Sequence, residues 1–254
     1  MKFLALIPAR YDSSRFPGKP LATLGGTTVI ERVVRRAESV LGHGNVAVAT
    51  DDERILRAVE AFGGRAVMTG SHHRSGTDRC FEAYCNLGSD ADVVINIQGD
   101  EPFVAPAQIK ALAECFLNPE VKIATLIKPV AADASPEELA NPNRPKVVVD
   151  NNMDALYFSR SVIPFVRGAE MREFASRNRF FTHIGMYGFR AEVLAEVVAL
   201  PQSSLELAES LEQLRWLQNG YRIRTAVTDI ETIGIDTPAD LEAAEKFLKT
   251  NPER

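Results

Sequence analysis

The chain has 254 residues, of which 45% are apolar and 25% charged, and it carries a net charge of −5. That length supports a sizeable core in one main α/β domain, and the composition excludes disordered and collagen-like chains. An acidic chain lacks the surplus of Lys and Arg with which general nucleic-acid binders displace counterions from many phosphates, so no nucleic-acid partner is expected.

Residues 1–8 hold one Lys and a short apolar run followed by Arg-Tyr-Asp, too brief for a signal-peptide core. No apolar run approaches the roughly 20 residues of a membrane helix, so the reading is a cytoplasmic protein without membrane insertion. Cys80, Cys85 and Cys115 lack the Cys-x-x-Cys spacing of a zinc or redox site and read as reduced, buried thiols.

Short apolar runs at 3–7, 46–49, 66–68, 93–97 and 123–127 read as strands. Between them, 28–41, 53–62, 77–87 and 105–116 carry apolar residues at helical spacing. This βαβα series predicts a mostly parallel sheet flanked by helices, with functional loops at the carboxyl ends of the strands. Residues 131–143 are rich in Ala, Pro, Asn and acids, and 146–149 then read as an antiparallel strand, so the sheet becomes mixed. Residues 161–178 have little apolar periodicity and read as an excursion suited to a lobe or a dimer contact. Regularity returns with a strand at 183–189, helices at 191–200 and 208–219, a strand at 223–227 and a closing helix at 238–249 with Pro in its first turn.

The first strand runs into Pro8-Ala-Arg-Tyr-Asp-Ser-Ser-Arg-Phe-Pro-Gly-Lys-Pro-Leu21, which gathers Arg10, Arg15 and Lys19 in one loop of an acidic chain. A polyphosphate is the natural partner, because Arg donates to phosphate oxygens in pairs and Lys supplies a mobile point charge. The loop fits neither a Walker P-loop nor a G-x-G-x-x-G dinucleotide site. A solvated basic loop is the competing reading.

A second loop, Asn96-Ile-Gln-Gly-Asp-Glu-Pro102, places Asp100 at a strand end. Mg²⁺ takes one or two carboxylates and otherwise keeps water and phosphate oxygens, so Asp100 needs one companion. Asp236, in Ile233-Gly-Ile-Asp-Thr-Pro238, is the best candidate, although Asp-Thr-Pro before a helix also reads as a cap. Glu101 and Asp78 fit better as a turn residue and a first-turn helix acid. The polar segment Ser71-His-His-Arg-Ser-Gly-Thr-Asp78 suits contact with a base through backbone groups; adjacent His72 and His73 do not have zinc-ligand spacing.

A third set comprises Tyr157-Phe-Ser-Arg160, Thr182-His-Ile-Gly-Met-Tyr-Gly188 and Leu211-Glu-Gln213. Arg160 and His183 could grip a carboxylate, while Tyr187, Glu212 and Gln213 offer hydrogen bonds to hydroxyls; singly, each also fits a satisfied structural role.

Together, Pro8-Ala-Arg-x-x-Ser-x-Arg-x-Pro-Gly-Lys-Pro-Leu21, Ser75-Gly-Thr-Asp-Arg79, Asn96-Ile-Gln-Gly-Asp-Glu-Pro102, Tyr157-Phe-Ser-Arg160, His183-x-Gly-x-Tyr187, Leu211-Glu-Gln213 and Gly234-Ile-Asp-Thr-Pro238 resemble the 3-deoxy-manno-octulosonate cytidylyltransferases, the CMP-Kdo synthetases. The resemblance spans nearly the whole chain. It implies a Rossmann-like nucleotidyltransferase fold, with a mixed, mostly parallel sheet flanked by helices and a small protruding dimerisation lobe. It implies a single nucleotidyltransferase domain over 1–254, in which an excursion at about 130–190 contributes the sugar pocket and the contacts of a homodimer.

The reaction it implies is CTP + Kdo → CMP-Kdo + diphosphate, for lipopolysaccharide biosynthesis, with Mg²⁺ as cofactor. Arg10 and Lys19 would meet the CTP phosphates, and Ala9, Arg74 and Asp100 would also bind CTP. The Ser75-Gly76 loop would lie near cytosine and ribose, and Asp100 and Asp236 would hold Mg²⁺. Gln98, Arg160, His183, Tyr187, Glu212 and Gln213 would line the sugar-acid pocket. The nearest alternative is a cytidylyltransferase for an 8-amino-Kdo or sialic-type sugar acid. A non-catalytic nucleotide-binding regulator has less need of two metal carboxylates, and a GT-A-like glycosyltransferase usually shows an Asp-x-Asp pair where this chain has Gln98-Gly-Asp100.

Overall fold

The computed structural model describes residues 1–251. In chain order its elements are β1 (Phe3–Ala9), β2 (Thr23–Leu24), β3 (Thr27–Thr28), α1 (Val29–Leu41), β4 (Val46–Thr50), α2 (Glu53–Ala61), β5 (Ala66–Met68), α3 (Gly76–Asn86), β6 (Val93–Asn96), α4 (Pro106–Glu114), β7 (Ile123–Pro129), α5 (Pro136–Ala140), β8 (Lys146–Val149), β9 (Ala155–Ser159), α6 (Phe174–Arg177), β10 (Phe181–Arg190), α7 (Ala191–Val198), α8 (Ser204–Glu209), α9 (Gln213–Gln218), β11 (Ile223–Val227) and α10 (Pro238–Thr250). The described residues divide into two compact units, one of residues 1–110, 188–198 and 232–251, the other of 111–187 and 199–231.

In the first unit the sheet runs β6-β1-β4-β5 with every pair parallel. Strands covered on both faces need apolar residues at consecutive positions rather than at alternate ones. Accordingly Ala5, Leu6 and Ile7 of β1, Val46 to Ala49 of β4 and Val93 to Ile95 of β6 have no exposed surface. Helix α1 buries Val29, Ile30, Val33, Val34 and Ala37 on one stripe, and the Thr28 hydroxyl caps it by accepting from the Glu31 amide at 3.2 Å. A further apolar cluster joins Leu24, Val29 and Phe103 to Ile235, Ala244 and Leu248, which fixes α10 and the segment leading into it within this unit.

In the second unit β11 pairs parallel to β7, whereas β8 pairs antiparallel to both β9 and β10. The fold is thus α/β with a mixed, mostly parallel set of strand pairs, and β8 is the antiparallel strand read at 146–149. The excursion holds a small core of Leu139, Phe174 and Phe180.

The structure adds β9 and α5, which the sequence reading did not place, exposes Cys85, which it read as buried, and divides one expected helix. The helix expected at 208–219 is two helices, α8 and α9. A capping box between Ser203 and Glu206 starts α8 early, and Ser210, left-handed at φ 51°, ends it. The break places Glu212 at the cap position that opens α9.

Candidate active site

Parallel strands β1 and β6 lie side by side, so the loops leaving their carboxyl ends are neighbours. The loop after β1 is closed on itself, the Gly18 amide donating to the Tyr11 carbonyl at 2.8 Å. Gly18 has φ +73°, and a Cβ there would stand 3.0 Å from the Tyr11 ring, so the turn is a glycine position. The Tyr11 ring is held in turn beneath the Arg54 guanidinium, 3.3 Å from its centroid. Lys19 follows in a single 3-10 turn, Lys19–Leu21.

An open cleft of about 280 Å³ is lined by this loop together with Ala9, Arg10, Arg74, Ser75, Gly76, Gln98, Asp100 and Asp236. Arg10, Arg15 and Lys19, the three cations clustered in the sequence, all line it. Arg10 and Arg74 are exposed and make no hydrogen bond or ion pair among the described residues, so their donors are available to a ligand.

Lys19 is mostly buried, and its ammonium lies between two carboxylates, bonding Asp100 closely and Asp236 at 3.1 Å. Arg15 reaches the other oxygen of Asp236, also at 3.1 Å. The backbone sets this convergence. A Cβ on Gly99 would stand 2.8 Å from the Pro8 carbonyl, so only glycine lets the β6 loop lie against the end of β1. The Ile235 amide then donates to the Asp100 carbonyl at 2.8 Å, which brings residue 236 beside residue 100.

Capping is not what holds Asp236. Thr237 caps α10, accepting from the Asp240 amide, while the Asp240 carboxylate accepts from the amides of Asp236 and Thr237. The Asp236 side chain is thereby left to the cleft. Burial, followed by the charges of Asp100 and Asp236, pushes the Glu101 carboxyl up to about 8, so at neutral pH it is a proton-bearing neighbour of the two aspartates.

Ser75 and Gly76 open α3. The Ser75 hydroxyl accepts from the Asp78 amide at 3.1 Å, so it serves as the helix cap. Arg79 was not singled out as a site residue from the sequence. It is 4% exposed, donates to Thr69 at 2.7 Å and Asp51 at 2.8 Å, and lines the cleft. An Arg within a helix gives no sequence signal of this; only its partners on two other strand ends do. Gln98, expected at the sugar acid, lines the same cleft. His73 bonds Glu82, and with His72 their ligating atoms lie within 4.8 Å of one another, a grouping that the His-His spacing did not suggest.

The second unit gathers the remaining residues of the sugar-acid set. The Arg160 guanidinium donates to the carbonyls of Glu209 at 2.6 Å, Pro142 at 2.8 Å and Ser210 at 3.1 Å. Those bonds use three of its five N–H groups and cancel none of its charge, which leaves a cationic fork for an anion. Lys146, a strand residue in the sequence reading, is 1% exposed, and its ammonium donates to the Asn141 carbonyl at 2.9 Å. Burial, then the nearby Arg160 charge, holds its pKa below the usual lysine value.

His183 packs edge-on to Phe158 at 5.1 Å between ring centroids and against Tyr187 at 5.3 Å, and Tyr187 meets the edge of Trp216 at 5.0 Å. Burial lowers the His183 pKa to about 3, so the ring is neutral and has no charge with which to grip a carboxylate, whereas Arg160 keeps its own. Tyr187 is raised well above its usual value, by burial and then by Glu212, and stays a phenol. Arg215, 6% exposed, holds Glu212 at 2.9 Å and Glu206 at 3.2 Å. Gln213 is 3% exposed, and its Nε2 has no hydrogen-bond partner. A buried amide donor left unmatched costs about 1–3 kcal/mol, so this one has a hydrogen bond to offer an incoming acceptor.

The family model for cytidylyltransferases matches residues 4–247. The chain belongs to the cytidylyltransferase family. A 3-deoxy-manno-octulosonate cytidylyltransferase of Bacteroides thetaiotaomicron is 59% identical over 98% of this chain and 99% of its own. One from Phocaeicola vulgatus is 58% identical over 98% of each chain. Among solved structures, a CMP:2-keto-3-deoxy-manno-octonic acid synthetase complexed with CTP aligns with a TM-score of 0.90 and 43% identity, covering 99% of this chain and 100% of that one. This cytidylyltransferase is therefore a nucleotidyltransferase by family as well as by fold.

Proposed function

We propose that this cytidylyltransferase transfers CMP from CTP to 3-deoxy-D-manno-octulosonate (Kdo), releasing diphosphate, as a cytoplasmic step supplying lipopolysaccharide biosynthesis. The observation that carries the reading is the meeting of Lys19, Asp100 and Asp236 in a cleft where Arg10 and Arg74 keep their donors free. The names of the full-length relatives support the choice of substrates.

Two aspartates already gathered around one ammonium fit a hard divalent cation, which prefers carboxylate, water and phosphate oxygens. Asp100 and Asp236 would hold Mg²⁺, which when bound offsets phosphate charge and lowers the pKa of a coordinated hydroxyl. Lys19, released from that pairing, turns its ammonium to the phosphates, where Arg10 and Arg74 join it. The anomeric hydroxyl of the sugar acid attacks the α-phosphorus of CTP, the bond to the β-phosphate oxygen breaks, and diphosphate leaves. Both reactants are anions, so these cations offset repulsion and hold the in-line geometry, where positioning alone can contribute roughly 7–11 kcal/mol. Arg160 takes the sugar carboxylate, and Gln98, Tyr187, Glu212 and Gln213 read its hydroxyls.

Homodimerisation belongs to the same proposal. It is supported by the excursion, where the Phe165 side chain is 76% exposed.

Asp100→Asn tests the reading: it is expected to abolish diphosphate release from CTP and Kdo while circular dichroism shows a folded chain. Near-normal turnover would overturn the metal assignment. Comparing turnover of Kdo, 8-amino-Kdo and sialic acid with CTP decides the acceptor, with Kdo expected to be fastest.

A further inference from the structure

Thr125 and His183 are linked in a way that neither residue's sequence context shows. Thr125, on β7, has no exposed surface. Its hydroxyl oxygen lies 2.8 Å from the Met186 carbonyl, 3.3 Å from the Ile184 carbonyl and 2.9 Å from His183 Nε2. A hydroxyl owns one proton, and carbonyl oxygens only accept. The proton therefore goes to the carbonyls, chiefly Met186, because an oxygen pair 2.8 Å apart with no hydrogen between them is repulsive.

What Thr125 has left for the ring is a lone pair. A lone pair facing a lone pair is unfavourable, so Nε2 carries a proton and donates to Thr125. The ring sits between Phe158 and Tyr187 with no carboxylate bonded to it, an environment that favours the neutral form. With Nε2 protonated, a neutral imidazole has its lone pair on Nδ1. Nδ1 makes no hydrogen bond among the described residues, and the His183 amide is tied to the Pro145 carbonyl at 2.8 Å, which steadies the backbone beneath the ring.

We infer that Thr125 is a positioning residue that locks His183 in the Nε2–H tautomer, so that Nδ1 accepts a hydrogen bond from a hydroxyl of the polyol acid substrate. The inference rests on the reading that His183 faces the sugar acid, and it changes the role of that ring. A lone pair on Nδ1 repels a carboxylate and accepts a hydrogen bond from a hydroxyl. The anionic end of the substrate is left to Arg160, and His183 becomes a reader of the polyol.

The test reads the tautomer without turnover. In protein labelled with ¹⁵N-histidine, His183 is identified by comparison with His183→Gln, and long-range ¹⁵N–¹H spectra show which ring nitrogen bears the proton. A pyridine-type Nδ1 and a pyrrole-type Nε2 are expected in the free protein at neutral pH. The reverse pattern, or an imidazolium, overturns the inference whatever the activity. Inactivity toward Kdo with the Nε2–H pattern intact would instead overturn the substrate reading.

Thr125→Val, nearly the same in volume, removes the acceptor and is expected to raise KM for the sugar acid about tenfold, the worth of one hydrogen bond, with KM for CTP unchanged. Thr125→Ser is expected to restore it. Equal damage to both KM values, or failure of the serine to rescue, makes Thr125 a packing residue and overturns the positioning role.

Discussion

At the scale of single residues, the two halves of the candidate chemistry are set by opposite electrostatic choices. Around Lys19 charges are paired and partly wet; around His183 charge is excluded. Because the folded His183 pKa, about 3, lies below its ordinary 6.5, the unfolded chain binds the extra proton between those values. Its contribution is therefore intact above pH 6.5 and is lost as pH falls toward 3. Thermal unfolding of substrate-free protein should show His183→Gln losing less stability than the parent across that window. An unchanged difference from pH 7 to pH 4 would count against a neutral, buried ring.

Among structural elements, α10 performs two tasks at one end. Its capping box occupies Thr237 and Asp240, and that arrangement frees Asp236 for the cleft. Thr237→Ala should cost about 1 kcal/mol in urea unfolding and should also weaken the dependence of turnover on Mg²⁺, since the capped turn orients Asp236. Gly99→Ala acts on the neighbouring element: a Cβ 2.8 Å from the Pro8 carbonyl pushes the β6 loop from the end of β1. A larger loss in kcat than in stability is expected, measured by steady-state kinetics beside urea denaturation.

Across the whole molecule, a net charge of −5 coexists with a cleft lined by Arg10, Arg15, Lys19, Arg74 and Arg79. Local cation density in an acidic chain favours a small polyanion and disfavours long nucleic acids. KM for CTP should rise steadily as salt goes from low to high, because exposed Arg10 and Arg74 are screened over about 8–10 Å at physiological ionic strength. Removing both with alanine should flatten that slope, and an unchanged slope would place the phosphates elsewhere.

The sequence alone determined the α/β class and most strand positions, because consecutive apolar residues in a short run have few places to go except a doubly covered sheet. It also determined the cationic loop after β1 and the aspartate after β6, since both follow directly from strand ends. Helix α8 and the break at Ser210 were not legible, because a left-handed serine leaves no mark on apolar periodicity. Whether Asp236 caps the closing helix was left open and was decided only by the Asp240 carboxylate closing on Thr237. Lys19 is 81 residues from Asp100 and 217 from Asp236, and Thr125 is 58 from His183. Which charges neutralise one another, and which proton a ring keeps, depends on contacts at those separations, so tertiary structure decided them.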